Sequence, residues 1–140
     1  MPEKRSAPRL GSRLTKQREV IVKLFEETPR PLRLQEIHHL AQKKIPAMGI
    51  ATVYRTVKIL RQVGFLRVVH LPGGGDCYEK EGLRHHHHFQ CRHCGKVFDL
   101  PECTLRIDLG KMKEEGFQAE SHELVVFGSC PPCNRRARGV

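Results

Sequence analysis

The chain has 140 residues, with 25 Lys plus Arg, 15 Asp plus Glu, nine His and six Cys. That length suits one ordinary domain or two small ones, and it holds no apolar run long enough to span a membrane and no apolar stretch behind the basic N-terminus to act as a secretory signal. The charge is uneven: residues 1–70 carry 15 Lys/Arg and 5 Asp/Glu while residues 71–140 carry 10 of each, so the +10 excess lies in the first half and points to a polyanionic partner for that half.

Met1 to Ser12 is polar and basic and reads as an arm. Thr15 can cap a helix through "KQREVIVKLFEET", with Val20, Ile21, Leu24 and Phe25 on one stripe, ended by Pro29 and Pro31. A second helix is expected over about Leu34 to Lys43, with Leu34, Ile37, Leu40 and Ala41 inward. A third is expected over about Ile50 to Val63, closed by Gly64. "FLRVVHL" and "DCYEKE" then flank the turn "PGGGD" as two strands. Three short helices and a β-hairpin outline a winged helix-turn-helix, in which the third helix reads DNA. At 100° per residue Val53, Val57 and Leu60 share its buried face, Ala51, Arg55, Lys58 and Gln62 lie opposite, and Thr52, Tyr54 and Ile59 flank. Arg55 and Lys58 are available there for phosphates or guanine edges.

The second half starts with strand-like "HHHHFQC" and "KVFDL". A helix is expected from about Pro101 to Glu115, then a strand over "FQAESHELVVFG" and a basic tail, "RRARGV". Cys91-x-x-Cys94 and Cys130-x-x-Cys133 are two knuckles that supply four thiolates, the donor set of a closed, structural zinc site. In a cytoplasmic protein, the expected location, paired cysteines are more often zinc ligands than disulfides. Cys77 reads as a packed residue or a thiolate ligand. Cys103, near the start of the expected helix, is a redox candidate.

Alternation along a strand puts His86 and His88 on one face and His85 and His87 on the other, so the four histidines can serve two metal sites. Partners for them are sought among Glu79, Asp99, Glu102, Asp108 and His122.

These pieces together, "LTKQREVIVKLF", "IATVYRTVKIL", "CYE", "HHHHFQCRHCGKVFDL" and "GFQAESHELVVFGSCPPC", resemble the ferric uptake regulator family of bacterial metal-responsive repressors. The resemblance covers nearly the whole chain after residue 12. It implies an α+β chain: a winged-helix DNA-binding domain with its arm (1–82), then a small α/β dimerisation and metal-sensing domain (83–140). It also implies a homodimer on a double-stranded DNA operator. Cys91, Cys94, Cys130 and Cys133 match the family's structural zinc site. Glu79, His86, His88 and Asp99 match the sensory site at the domain junction, and His85, His87 and His122 match a second site. Tyr54 and Arg55 match recognition-helix contacts and Arg18 a first-helix arginine near phosphate. The candidate DNA contacts are thus Arg18, Thr52, Tyr54, Arg55 and Lys58.

Two departures stand out. Pro31 occupies the place where many members carry a further sensory histidine, which leaves His38, His70 or Cys77 as candidate substitutes. The acidic ligand of the second site aligns with Leu105 or Arg106, so Glu102 or Asp108 would have to complete it.

The expected function is a metal-dependent repressor of metal-homeostasis or peroxide-stress genes. Metal bridging of the basic and dimer domains would hold two recognition helices at the spacing of successive major grooves. Zinc is the structural metal and iron or zinc the corepressor, with manganese or nickel as further options; Cys77 as a thiolate ligand would favour zinc. A metal-storage or chaperone module is the alternative, but it leaves "ATVYRT" and the basic half unexplained. An enzyme is not expected: a zinc deaminase wants His-x-Glu and Pro-Cys-x-x-Cys around an open zinc, whereas here Leu124 follows His122-Glu123 and Ser129 precedes Cys130.

Overall fold

A computed structural model of the chain describes residues 15–100, 102–103 and 106–139. The basic arm expected over Met1–Ser12 lies outside them. The chain divides into two compact units at Leu83/Arg84.

The first unit contains α1 (Lys16–Glu27), β1 (Leu32–Arg33), α2 (Leu34–Gln42), α3 (Ile50–Gln62), β2 (Leu66–His70) and β3 (Asp76–Lys80). The hydroxyl of Thr15 accepts the Arg18 N–H and caps α1, which stops at Thr28 before Pro29. At the head of α2 the Glu36 carboxylate takes the Arg33 N–H at 2.9 Å and is held by Arg30 at 2.8 Å. At the end of α3 the Gly64 N–H reaches the Arg61 carbonyl and the Phe65 N–H the Leu60 carbonyl. This closure requires the left-handed φ of +76° that Gly64 supplies without strain.

All three helical stripes face one core. Ile21, Val22, Leu24 and Phe25 of α1, Ile37 and Ala41 of α2, and Val53, Val57 and Leu60 of α3 pack with Leu32, Met48, Phe65 and Leu66. Val20, Leu34 and Leu40, expected inward, are only partly buried against it. Val22 and Thr56 are buried beyond the expected stripes. The hairpin pairs Leu66 with Lys80 through His70 with Asp76, and β1 adds Leu32–Tyr78 and Arg33–Cys77 on the other edge of β3, giving the antiparallel order β1-β3-β2. Two residues show no periodicity, so β1 had no signal in the sequence.

The second unit is a three-stranded sheet, β5-β4-β6, from β4 (His87–Cys91), β5 (Val97–Leu100) and β6 (Val125–Gly128), with α4 (Gly110–Glu114) and α5 (Pro131–Ala137). Strand β4 runs antiparallel to β5 and parallel to β6.

Three expectations need correction here. His85 and His86 precede β4, whose ladder to β5 ends at the His87–Leu100 pair. The expected helix from Pro101 to Glu115 is confined to Gly110–Glu114 among the described residues. The stretch Arg106-Ile107-Asp108-Leu109 alternates polar and apolar, and the Asp108 carboxylate takes the Gly110 N–H at 2.9 Å, which starts the helix there. The expected strand from Phe117 is cut to Val125–Gly128, the length of β4 available for parallel pairing. Helix α5 carries the first three residues of the basic tail, Arg135–Ala137; Cys130 stands at its N-cap position, and Pro131 follows where a missing N–H costs nothing.

Candidate metal centres and the exposed face of α3

The knuckle Cys91–Cys94 is the turn between β4 and β5. The Gly95 N–H returns to the Cys91 carbonyl and the Cys91 N–H goes to the Lys96 carbonyl. The second knuckle straddles the junction of β6 and α5, and the parallel pairing of Cys91 with Gly128 carries it alongside the first. The four sulfurs lie within 4.8 Å of one another. Cys94 Sγ and Cys130 Sγ are 3.8 Å apart. That matches the edge of a tetrahedron with Zn–S of about 2.3 Å, roughly 3.8 Å. Backbone N–H groups of Cys94 and Cys130 push the Cys91 thiol down to about 5, while hydrogen bonding with the Cys130 sulfur and burial push Cys133 up to about 12. The four sulfurs cannot all ionise side by side unless a cation offsets their charge, so the donor set fits zinc.

The histidine run splits as alternation requires. His86 and His88 turn to one side with ring centroids 4.8 Å apart, and His85 and His87 to the other at 4.7 Å. On the first side, Asp99 faces His88 across the β4–β5 ladder, with its carboxylate 3.8 Å from His86 Nε2 and 3.7 Å from His88 Nε2. His86 donates its Nδ1–H to the Arg84 carbonyl at 2.6 Å, which orients Nε2 as the ligating nitrogen. Glu79, in the first unit, is buried on β3 and held by Arg67 at 2.5 Å.

On the second side, the Nε2 atoms of His87 and His122 are 3.1 Å apart. His122 is brought there because the Leu124 carbonyl takes the His88 N–H at the entrance to β6. His87 is buried, and burial followed by the neighbouring His85 and His122 lowers its pKa, which favours the neutral form that binds a metal. Cys103 completes this group, 3.1 Å from His87 Nε2 and 3.3 Å from His122 Nε2. Spacing could not have found Cys103, which is 16 residues from His87 and 19 from His122. The candidates Glu102 and Asp108 are both exposed and stand outside the group, Asp108 being engaged at Gly110.

The three substitutes considered for a further sensory ligand are accounted for otherwise. His38 Nε2 hydrogen-bonds the Met48 carbonyl at 2.9 Å as a packed histidine. His70 pairs with Asp76 across the hairpin at 2.9 Å. Cys77 is fully buried, burial pushes its thiol up to about 11, and it belongs to no metal-capable group among the described residues. Cys77 therefore gives zinc no advantage as the stimulus. Cys103, read as a redox candidate at a helix start, stands apart from α4 and among imidazoles.

On α3, Ala51, Tyr54, Arg55, Lys58 and Gln62 are exposed opposite the packed stripe, with Thr52 half-buried at the flank. Arg18 is half-buried on α1.

The sequence model of the ferric uptake regulator family matches residues 9–127. The ferric uptake regulation protein of Synechococcus elongatus is 33% identical over 130 residues, covering 89% of this chain and 88% of its own. That of Bacillus subtilis is 34% identical over 128 residues, covering 87% and 85%. Among solved structures, the Helicobacter pylori ferric uptake regulator, described with three functional metal-binding sites, superposes with a TM-score of 0.64 at 27% identity, covering 89% of this chain and 83% of that one. A zinc-bound manganese uptake regulator superposes with a TM-score of 0.69 at 27% identity, covering 86% and 92%.

Proposed function

Since the chain belongs to the ferric uptake regulator family of metal-responsive transcriptional regulators, we propose that it represses genes of metal homeostasis or peroxide defence by binding a double-stranded DNA operator as a cytoplasmic homodimer. Zinc holds the four cysteines, and iron or zinc taken up by His86, His88 and Asp99 raises DNA affinity. The observation that carries the metal-responsive reading is the division of one histidine run into two donor sets, each joined by ligand-type side chains from elsewhere in the second unit. Imidazole with carboxylate suits iron, zinc, manganese and nickel, so this set admits each of these as the stimulus.

The exposed face of α3 supports operator contact by Tyr54, Arg55 and Lys58, with Thr52 at the flank and Arg18 on α1. Exposed apolar side chains in the second unit support the homodimer: Met112, Phe117, Val126 and Phe127 are 37–58% exposed. No helix among the described residues is long and apolar enough to cross a membrane.

A metal-storage module would use the histidines but not the α3 face. The test is DNA binding by demetallated protein, repeated with each metal at buffered free concentration, beside His86→Ala/His88→Ala. The parent is expected to gain at least about tenfold in operator affinity with its cognate metal. The double variant should lose that gain and keep its cysteine-bound zinc. Affinity indifferent to every metal would overturn the reading.

A further inference from the structure

Cys103 lies among three histidines, and neither Glu102 nor Asp108 joins them. We propose that Cys103 is the fourth ligand of a closed three-histidine, one-thiolate site with His85, His87 and His122, and that this site takes zinc in preference to harder divalent cations. The proposal deepens the metal-responsive reading above and rests on it only for its regulatory meaning.

The geometry is hard to satisfy with protons. His87 Nε2, His122 Nε2 and Cys103 Sγ form a triangle with edges of 3.1, 3.3 and 3.1 Å. A neutral imidazole nitrogen either donates or accepts, and a donor aims well at one acceptor only, so at most two of the three edges can be hydrogen bonds. A central cation would instead engage all three lone pairs. With Zn–N of about 2.0–2.1 Å and Zn–S of about 2.3 Å, the edges of such a tetrahedron are roughly 3.3–3.6 Å, an expansion of a few tenths of an ångström. The ring of His85, 4.8 Å from that of His122 and 4.7 Å from that of His87, supplies the fourth position.

The donor set decides the metal. Three imidazoles and a thiolate include no oxygen, whereas the other side of the run offers His86 and His88 with the Asp99 carboxylate. Thiolate favours zinc strongly over manganese and other oxygen-seeking ions, while imidazole with carboxylate discriminates less. Four protein ligands leave no open position, so the ion here holds structure. It would tie the segment leading into α4 to the start of β4 and to the chain entering β6, joining residues 16 to 35 positions apart. Two adjacent sets of different hardness let the chain keep zinc in one while the other exchanges its metal.

The test uses the full chain with the four-cysteine cluster filled with zinc, titrated with cobalt(II) and followed by thiolate-to-cobalt charge-transfer absorption in the near ultraviolet. Metal analysis checks that the cluster keeps its zinc. One added equivalent is expected to produce the band, and zinc to displace it. Cys103→Ser should abolish the band and weaken zinc at this site by about 10–100-fold or more. Cys103→Asp should also lose the band but retain manganese, lowering the zinc-over-manganese preference at least about tenfold. A band that survives in Cys103→Ser, or no band in the parent, would overturn the assignment. Loss of the band in both variants with cluster zinc intact supports it, even if DNA binding proves indifferent to metal, an outcome that would count against the regulatory reading alone.

Discussion

The two units are stabilised by different means. Up to Leu83, thirteen buried apolar residues from three helices and the adjoining strands form one core. From Arg84 onward, the buried positions among the described residues are His87, Cys91, Val97 and Cys130, and three of those four are candidate ligands. Helices α4 and α5 bury no side chain at all. With one buried aliphatic residue among its described residues, the second unit draws little on apolar burial to offset its conformational entropy, and metal at the four cysteines together with the proposed homodimer would supply what the first unit draws from packing. Under the proposed function the same difference would serve regulation: a unit whose folding is linked to metal would report metal, and a unit that folds on its own core would present α3 to DNA unaltered.

The comparison breaks most severely at the cysteine cluster. Cys94→Ser should remove the zinc and with it metal-coupled folding energy on the order of 10 kcal/mol, unfolding the second unit. The helical circular dichroism of α1–α3 should remain. Full zinc content together with native stability in this variant would show that the second unit does not depend on the cluster. In the other direction, Leu60→Ala removes a fully buried side chain from the first core. It should cost about 2–5 kcal/mol in denaturant unfolding of that unit while leaving the zinc stoichiometry unchanged; a simultaneous loss of zinc would mean that the two units fold as one.

Arg55→Ala separates surface from core. Arg55 is exposed opposite Val53, Val57 and Leu60, so stability and dimerisation should be kept while operator affinity falls by about 1–3 kcal/mol. A phosphate contact would lower the salt slope by about 1 across all sequences, and a base contact would relax specificity instead. Equal affinity at matched salt would move the DNA-binding surface elsewhere. The smallest effect is expected at Thr15→Ala. Its capping bond is long, 3.4 Å, and exposed, so a loss of about 0.5–1 kcal/mol confined to the first unit is the expected reading of urea midpoints.

Legibility followed the same division. The first unit could be read closely because its signals are local: α1, α2 and α3 lie within a residue or so of their expected bounds, set by Thr15, Pro29 and Gly64. In the second unit the fourfold run misleads as a strand, since the ladder to β5 ends at the His87–Leu100 pair and His85 and His86 precede it. Its helix begins late, after a turn in which the Asp108 carboxylate takes the Gly110 N–H.

From its sequence alone this chain could be known to carry two cysteine knuckles, a basic first half, a third helix with Arg55 outward and a histidine run that divides two ways. Periodicity and near-neighbour spacing are properties of the chain itself, and they survive whatever the fold does. The partners of those histidines were decided by tertiary structure. Asp99 reaches His88 through strand register, Cys103 displaces the expected carboxylates beside His87 and His122, and His38, His70 and Cys77 are taken up by local bonds or burial. Metal donors must meet within a few ångströms, and for residues separated by loops of uncertain path that distance comes into being only when the sheet and its crossings are formed.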